Sequence, residues 1–349
     1  MGLSFFGFLA SLLLRICPLA MAVSSVAVAP AVPAKHDCST SRKFVLLPRD
    51  YFKANLKPRI ACKETLEMSR IAWLNGHFIP LEEAKVSIQD RGFLFADGIY
   101  EVTAVVDGRL VDYAAHAARL KRSTGEIGLA VPLDDAALYQ LHLDMITRNQ
   151  LNEGIIYLQV TRGAADRDFT FPASPATTLA LFTQAKALID APAAKTGIKV
   201  KSVPDLRWLR CDIKSVALLA QVLAKQAAAE AGCQEAWMVR DGLVTEGASS
   251  TAFIITQAGE LVSRPLSCAI LPGVTRLAVL ELVAQTGLHY VERAFSLDEA
   301  CAAAEAFNTS AGGFVMPVVE IDGCKLGDGK PGPQTKRLRE IYVAAVRAG

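Results

Sequence analysis

The sequence predicts an α/β (α+β) protein of two domains whose sheets are mostly antiparallel. The chain has 349 residues, of which 52% are hydrophobic and 21% are charged, so it is long and apolar enough to form two cores. Short apolar runs flank several Asn-Gly and Asp-Gly dipeptides, which are preferred turns of β-hairpins. One aperiodic stretch between Ala185 and Thr196 is rich in Ala, Pro, Asp and Lys, and we interpret it as a linker.

Residues 1–67 differ in composition from the rest of the chain. The segment from Met1 to Ala34 is apolar, but Arg15 interrupts it and Pro18 follows closely. These breaks make it a poor membrane span and an atypical secretory signal. We therefore expect residues 1–67 to be a leader, a targeting segment or an upstream extension outside the fold. The two domains are expected at 68–186 and 196–349, joined by the linker at 187–195.

The first domain is predicted to combine hairpins with two helices. Asn75-Gly76 and Asp107-Gly108 each separate two apolar runs and indicate hairpin turns. Apolar residues recur at helical spacing over residues 113–127, and a second helix is expected over 134–149. Apolar runs over 154–161 and 177–183 indicate two buried strands.

The second domain is predicted to begin with a half-buried strand over 198–203, where apolar and polar residues alternate. The Ala/Leu/Gln/Lys-rich segment 215–231 has high helix propensity and is followed by Gly232, which can end a helix. Hairpins are expected at Asp241-Gly242, Ala258-Gly259 and Asp322-Gly323. Helices over 274–286 and 336–347 complete the domain.

Composition argues against several classes of partner. The chain has 37 basic and 35 acidic residues and no basic stripe, so nucleic acid is not expected as a partner. Eight cysteines occur without a Cys-x-x-Cys pair, and five histidines are scattered along the chain. Neither pattern is typical of a metal site, and we expect none. We also expect no membrane partner. The protein is expected to be cytoplasmic, unless residues 1–67 target it to another compartment.

Four separated features could together perform one kind of chemistry. Lys214 offers an amine, Glu246 offers an acid after a predicted strand, and Gly273-Val274-Thr275 opens a predicted helix. Arg119 on a helix of the other domain could clamp a phosphate. Pyridoxal phosphate needs an amine for its aldehyde, an acid for its ring nitrogen and a cradle for its phosphate. Each feature alone is also consistent with a solvated side chain or an ordinary helix start.

The order of the blocks carries a family resemblance. The matching stretches include residues 90–101, His116 to Leu120, Thr161-Arg162-Gly163, Arg207 to Ser215, Thr245-Glu246-Gly247, Leu271 to Arg276 and Pro317 to Gly323. From about Ile71 to the C-terminus, the chain resembles the fold-type IV pyridoxal-phosphate enzymes, most closely the D-amino acid aminotransferases. The resemblance implies a two-domain fold with pyridoxal 5'-phosphate between the domains, and a homodimer.

The resemblance also implies roles for individual residues. Lys214 would bond the cofactor and carry a proton between the substrate Cα and the cofactor C4′, and Glu246 would pair with the pyridine nitrogen. The remaining cofactor-binding residues would be Arg119, Val274, Thr275 and Ser310 or Ala311 at the phosphate, Leu271 on the ring face, and Ser249 and Ser250 near the ring edge. The substrate would contact Tyr100, Val102 and Arg167, and Tyr100 and Arg167 would hold its α-carboxylate.

Three departures from the family pattern bear on the substrate. The family's Arg-x-His reads Arg167-Asp168-Phe169 here, and Phe169 cannot donate to a carboxylate. Thr251 replaces a frequent asparagine, and Ala311-Gly312 replaces hydroxyl residues.

The activity expected from the resemblance is ping-pong transamination between a D-amino acid, such as D-alanine or D-glutamate, and a 2-oxo acid, 2-oxoglutarate or pyruvate. The alternatives are a branched-chain L-amino acid aminotransferase, an (R)-amine transaminase, an aminodeoxychorismate lyase or, outside the enzymes, a cofactor-binding protein without catalysis.

Overall fold

The computed structural model describes residues 69–349. The predicted leader at 1–67 lies outside the described residues. Within residues 69–349, no helix is both long enough and apolar enough to cross a membrane. Two β-sheets divide these residues on either side of the predicted linker, one within residues 71–185 and the other within 198–325.

The first sheet has six strands and is antiparallel throughout. Its strands are β1 (Ile71–Leu74), β2 (His77–Pro80), β3 (Gly98–Val106), β4 (Arg109–Leu110), β5 (Gly154–Thr161) and β6 (Thr178–Ala185), in the order β2-β1-β6-β5-β3-β4. The turn between β1 and β2 has positive φ at both Asn75 (47°) and Gly76 (97°), which is the conformation that the Asn-Gly pair favours. The predicted hairpin is therefore confirmed.

Three helices accompany this sheet: α1 (Arg91–Phe95), α2 (Tyr113–Glu126) and α3 (Asp135–Asn149). The Asp134 side chain caps α3 by accepting a hydrogen bond from Ala137 N at 2.7 Å. Leu120 of α2 and Met145 of α3 pack with Ile156 and Leu181 of the sheet in one buried core. This packing fixes α2 beside β3, which places Arg119 next to the strand that carries Tyr100.

The second sheet is larger and mixed. Its strands are β7 (Ile198–Pro204), β8 (Glu235–Arg240), β9 (Leu243–Gly247), β10 (Thr251–Ile255), β11 (Glu260–Ser263), β12 (His289–Glu292), β13 (Glu305–Ser310), β14 (Phe314–Ile321) and β15 (Cys324–Lys325). Strand order is β12-β11-β10-β13-β14-β7-β8-β9, with β15 on β14. The pairs β7/β8, β7/β14 and β11/β12 are parallel and the others antiparallel, so the predicted fold class with mostly antiparallel sheets is confirmed.

Five helices belong to this half of the chain: α4 (Pro192–Thr196), α5 (Leu219–Glu230), α6 (Val274–Leu282), α7 (Leu297–Cys301) and α8 (Pro333–Ala348). The predicted linker is more ordered than its composition suggested, because it contains the start of α4 and its Leu188 is fully buried. The predicted helix over 274–286 ends earlier, at Leu282, and continues as a 3-10 turn over Val283–Gln285.

The predicted helix over 215–231 is wrong at its beginning. Helix α5 starts at Leu219, because the preceding residues pair with β3. Tyr100 N–H donates to Lys214 O at 3.0 Å, and Val216 N–H donates to Gly98 O at 3.0 Å. A backbone group satisfied by a strand cannot also close a helical turn. The residues around Lys214 are therefore held as an extra extended segment against the first sheet.

Candidate active site

A cavity of about 330 Å³ lies between the two sheets. Strand β3 and helix α2 line one side, and residues of β9, β13, α6 and their loops line the other. The predicted residues that line it are Tyr100, Val102, Arg119, Lys214, Glu246, Ser249, Ser250, Leu271, Val274, Thr275, Ser310 and Ala311. Folding therefore brings together the amine, the acid and the helix start that the sequence kept far apart.

Lys214 is half-buried and projects toward Tyr100. Its Nζ lies 4.1 Å from the centroid of the Tyr100 ring, which is within cation–π distance. Pairing with β3 fixes its backbone, and its N–H also lies 3.3 Å from Ser123 Oγ. The amine is thus directed into the cavity from a segment tied to both β3 and α2.

Glu246 is a buried carboxylate at the end of β9. Both of its oxygens lie within 3.3 Å of Leu271 N, and Oε1 also accepts a hydrogen bond from Arg207 Nη1. Burial raises the pKa of Glu246 to about 6, although the charge and hydrogen bond of Arg207 oppose this increase. Since Oε1 is engaged by Arg207, Oε2 remains the better placed acceptor for a ligand.

The start of α6 forms an anion cradle. Its first residues are buried, and the N–H groups of Val274 and Thr275 find no acceptor among residues 69–349. A Cβ at Gly273 would lie 2.8 Å from Thr251 Oγ1, so a larger residue here would force the Thr251 side chain to move. Arg119 reaches the same place, where its Nη1 donates to Pro272 O at 3.0 Å.

Arg119 is held by a buried acid that the sequence analysis did not single out. Glu101 accepts from Arg119 Nε at 2.7 Å and Nη2 at 2.8 Å, and it contacts His116 Nδ1 at 2.9 Å. Burial would raise the pKa of Glu101, but Arg119 and His116 lower it to about 2. The bidentate pair therefore fixes the guanidinium at the cradle.

Arg167 does not line this cavity. Its side chain is exposed, and its guanidinium carbon lies 5.4 Å from the Phe95 ring centroid and 5.5 Å from that of Phe169. The loop is nevertheless ordered, because buried Arg91 donates to Asp168 O at 2.6 Å and to Thr170 O at 3.2 Å. In a single chain, the structure does not bring Arg167 to the other predicted substrate residues.

Sequence reasoning left four residues at or beside the site without a role: Glu101, His116, Lys186 and Arg207. Lys186 lines the cavity and donates to Gly312 O at 2.5 Å. The spacing of His116 and Arg119, three positions apart on one helix, was a usable signal, because such residues share a face. Lys186 and Arg207 offered no comparable signal, since their neighbours in the site come from distant segments.

Comparison with known proteins identifies the family. The model for amino-transferase class IV matches residues 98–321. The chain belongs to the class IV aminotransferases. Among similar proteins, a D-alanine aminotransferase of Bacillus licheniformis is 41% identical over 267 residues, which are 76% of this chain and 93% of the relative. A D-alanine aminotransferase of Staphylococcus aureus is 39% identical over 77% of this chain and 95% of the relative.

A solved structure of a branched-chain amino acid aminotransferase agrees with the architecture. The branched-chain amino acid aminotransferase of Escherichia coli superposes with a TM-score of 0.75 at 24% identity, covering 80% of this chain and 95% of that one. The similarity supports the arrangement of the two sheets. The predicted fold class and the predicted enzyme class are both confirmed.

Pyridoxal 5'-phosphate is the cofactor of class IV aminotransferases, and the cavity fits it. An amine, a buried carboxylate and free N–H groups at a helix start surround one space. Thr309 Oγ1, at the cavity wall, is buried without a hydrogen-bond partner among the described residues and is available to a polar ligand. When bound, the cofactor supplies an aldehyde that joins to amines and a ring that accepts the electrons of a Cα–H bond.

Proposed function

We propose that this aminotransferase moves an amino group between a D-amino acid and a 2-oxo acid. The observation that carries the proposal is the meeting of Lys214, Glu246 and the α6 cradle around one cavity, in a chain about 40% identical to D-alanine aminotransferases. D-Alanine or D-glutamate would be the donor, and pyruvate or 2-oxoglutarate the acceptor, in a ping-pong sequence.

Each residue has a defined task in this proposal. Lys214 would supply the amine that bonds the aldehyde, and once displaced it would carry the Cα proton to C4′. Glu246 would hold a proton on the ring nitrogen. Arg119 and the N–H groups of Val274 and Thr275 would hold the phosphate, as would Ser310 or Ala311 at the end of β13.

The remaining predicted residues would orient the ring and the substrate. Leu271 would pack on the ring face, and Ser249 and Ser250 would lie near its edge. Tyr100 and Val102 would contact the substrate, because both face the cavity from β3. Arg167 remains the predicted carboxylate ligand, although in one chain it lies outside the cavity.

One assay separates this function from the alternatives. The purified protein is supplied with D-alanine and 2-oxoglutarate, with L-leucine or (R)-1-phenylethylamine and either pyruvate or 2-oxoglutarate, or with aminodeoxychorismate alone. Each oxo product is followed by chromatography, with D-glutamate as a further donor for pyruvate. Turnover of D-alanine with 2-oxoglutarate and not of L-leucine is expected. Turnover of L-leucine alone would indicate a branched-chain enzyme, and turnover of the amine alone would indicate an amine transaminase. Conversion of aminodeoxychorismate without an oxo-acid acceptor would indicate the lyase.

We infer that the active unit is a homodimer. Leu219, Val222 and Leu223 form an apolar stripe on α5, and each is more than half exposed in a single chain. Residues at these spacings share one face of a helix. An exposed apolar stripe of this kind is typical of a surface that another chain covers. The proposed partner is therefore a second copy of the chain.

The cytoplasmic location of the protein stays a prediction.

A further inference from the structure

The acid assigned to the cofactor ring does not stand alone. Arg207 joins it to a second buried carboxylate, Asp205, at the end of β7. Arg207 Nε donates to Asp205 Oδ1 at 2.9 Å and Nη2 donates to Oδ2 at 2.8 Å, while Nη1 donates to Glu246. The side chains of Asp205, Arg207 and Glu246 are 0%, 4% and 7% exposed. One guanidinium thus bridges two carboxylates that water scarcely reaches.

The other charged or titratable groups near Glu246 are few. Arg240 at the end of β8 lies 3.1 Å from Asp205, so it shares that carboxylate with Arg207. Lys214 lowers the pKa of Glu246 from across the cavity. Cys211 lies nearby, but burial raises the pKa of its thiol and keeps it neutral. Arg207 is therefore the cation in direct contact with Glu246.

A buried carboxylate without a cation is protonated rather than charged. A protonated Glu246 cannot hold a further proton on a ring nitrogen. Asp205 competes with Glu246 for the charge of Arg207, because both acids use the same guanidinium. Burial would raise the pKa of Asp205, yet the hydrogen bonds and charge of Arg207 hold it below its usual value. Asp205 thus takes part of the charge that would otherwise favour ionised Glu246.

We propose that Arg207 is a positioning residue that keeps Glu246 ionised toward the cofactor ring, and that Asp205 limits how strongly it does so. This inference rests on the proposed function only in placing the cofactor ring against Glu246. It predicts opposite effects on Glu246 for the loss of Arg207 and for the loss of the Asp205 charge. Loss of Arg207 should make Glu246 a weaker acid, whereas loss of the Asp205 charge should make it a stronger one.

The first measurement needs no substrate. Binding of pyridoxal phosphate to the cofactor-free protein is followed by equilibrium dialysis over a pH series. Glu246→Gln identifies which part of the pH dependence belongs to Glu246. For Arg207→Met, we expect the acid midpoint of that part to rise by about one pH unit or more. For Asp205→Asn, the same acid midpoint should fall below that of the wild type. For Arg207→Lys, which keeps the charge, the acid midpoint should be closer to that of the wild type than for Arg207→Met.

The second measurement uses N-methyl-pyridoxal phosphate, whose ring nitrogen is permanently cationic. Transfer from D-alanine is followed in a single turnover. With the ordinary cofactor, Arg207→Met should be slower than the wild type by about tenfold or more. With the N-methyl analogue, the two proteins should react at similar rates, because the ring charge no longer depends on Glu246. A purely structural defect would slow the variant equally with both cofactors.

Three results would overturn the inference: midpoints that do not move, midpoints that move in the same direction for Arg207→Met and Asp205→Asn, or equal slowing of Arg207→Met with both cofactors. Circular dichroism of each variant checks folding, and if Arg207→Met does not fold, Asp205→Asn still tests the predicted fall of the midpoint. The proposed function fails separately, if the wild type binds the cofactor but transfers nothing from D-alanine.

Discussion

At the scale of single residues, the surroundings of Lys214 explain its use better than its own segment does. Its neighbours Ile213 and Ser215 are buried, while its side chain reaches the cavity beside Tyr100. The amine is placed near the buried acid Glu246 without forming an ion pair with it within the described residues. An amine free of a carboxylate partner is available to bond an aldehyde.

Replacing Lys214 should abolish the reaction. In Lys214→Ala and Lys214→Arg, we expect no measurable turnover and no absorbance band of the lysine-bound cofactor, because neither side chain can form that bond. Lys201→Ala is the matched control, since Lys201 is an exposed lysine paired with Asp322 on the second sheet. Full activity in Lys214→Ala would refute the mechanism.

Replacing Arg167 tests which class of donor is bound. In Arg167→Ala, turnover of D-alanine should fall about tenfold or more, while turnover of an amine without a carboxylate should survive. The reason is that a guanidinium contributes by pairing with the carboxylate. The exposed Arg148 gives the control variant Arg148→Ala. Unchanged KM and kcat for D-alanine would remove Arg167 from the substrate site.

At the scale of elements, β3 and α2 form the frame of the site. Successive residues of β3 point to different neighbours. Tyr100 and Val102 face the cavity, whereas Glu101 binds Arg119 of α2. The same strand pairs with the segment of Lys214. One strand thus positions the amine of Lys214, the side chains that we propose to contact the substrate, and Arg119, the proposed phosphate ligand.

The pair between Glu101 and Arg119 should stabilise the fold in a pH-dependent way. The pKa of Glu101 falls from its ordinary 4.5 to about 2 on folding. At about 1.4 kcal/mol per pKa unit, this shift corresponds to about 3 kcal/mol. Because the pKa is lowered, the stabilisation is fully present above about pH 4.5 and is lost as the pH falls toward 2.

Urea unfolding of Glu101→Gln over a pH series checks this expectation. The variant should be less stable than the wild type at neutral pH by about 3 kcal/mol, and the difference should shrink in acid. Glu83→Gln, at an exposed position before α1, is the control and should match the wild type. A difference that is independent of pH would mean that Glu101 acts through packing rather than charge.

At the scale of the whole molecule, the cavity depends on two sheets that meet. The second half of the chain supplies the amine Lys214, the acid Glu246 and the α6 cradle, while the first half supplies Arg119 and the residues of β3 that face the cavity. The apolar stripe of α5 and the exposed Phe169 lie outside this cavity. The stripe of α5 is the surface that we propose a second copy covers.

The proposed dimer can be tested through the α5 stripe. Sedimentation velocity of the wild type should give twice the mass of one chain. Val222→Asp and Leu223→Asp should give monomers, because a charge in an apolar interface costs several kcal/mol unless it is paired. Val222→Thr keeps the shape without a charge and should remain a dimer. A monomeric wild type would refute the proposal.

The sequence predicted most of the elements because local signals specify them. Asn-Gly and Asp-Gly turns marked the hairpins, and the period of apolar residues marked α2. The early start assigned to α5 was wrong, since the backbone of the residues just before Leu219 pairs with β3 instead of joining the helix. The predicted linker likewise did not reveal buried Leu188, which belongs to a hydrophobic core whose other residues, such as Phe314 and Leu338, are distant in sequence.

By itself, the sequence determined the chemical inventory of this aminotransferase. It named Lys214, Glu246, Arg119 and the Gly273 helix start, because each depends on residue type and local order. Only the tertiary structure decided how they are held. It joined Glu101 to Arg119 and Asp205 to Glu246 through Arg207. Which buried charges pair depends on the packing of segments that are distant in sequence. The local spacing of apolar and polar residues carries no information about that pairing.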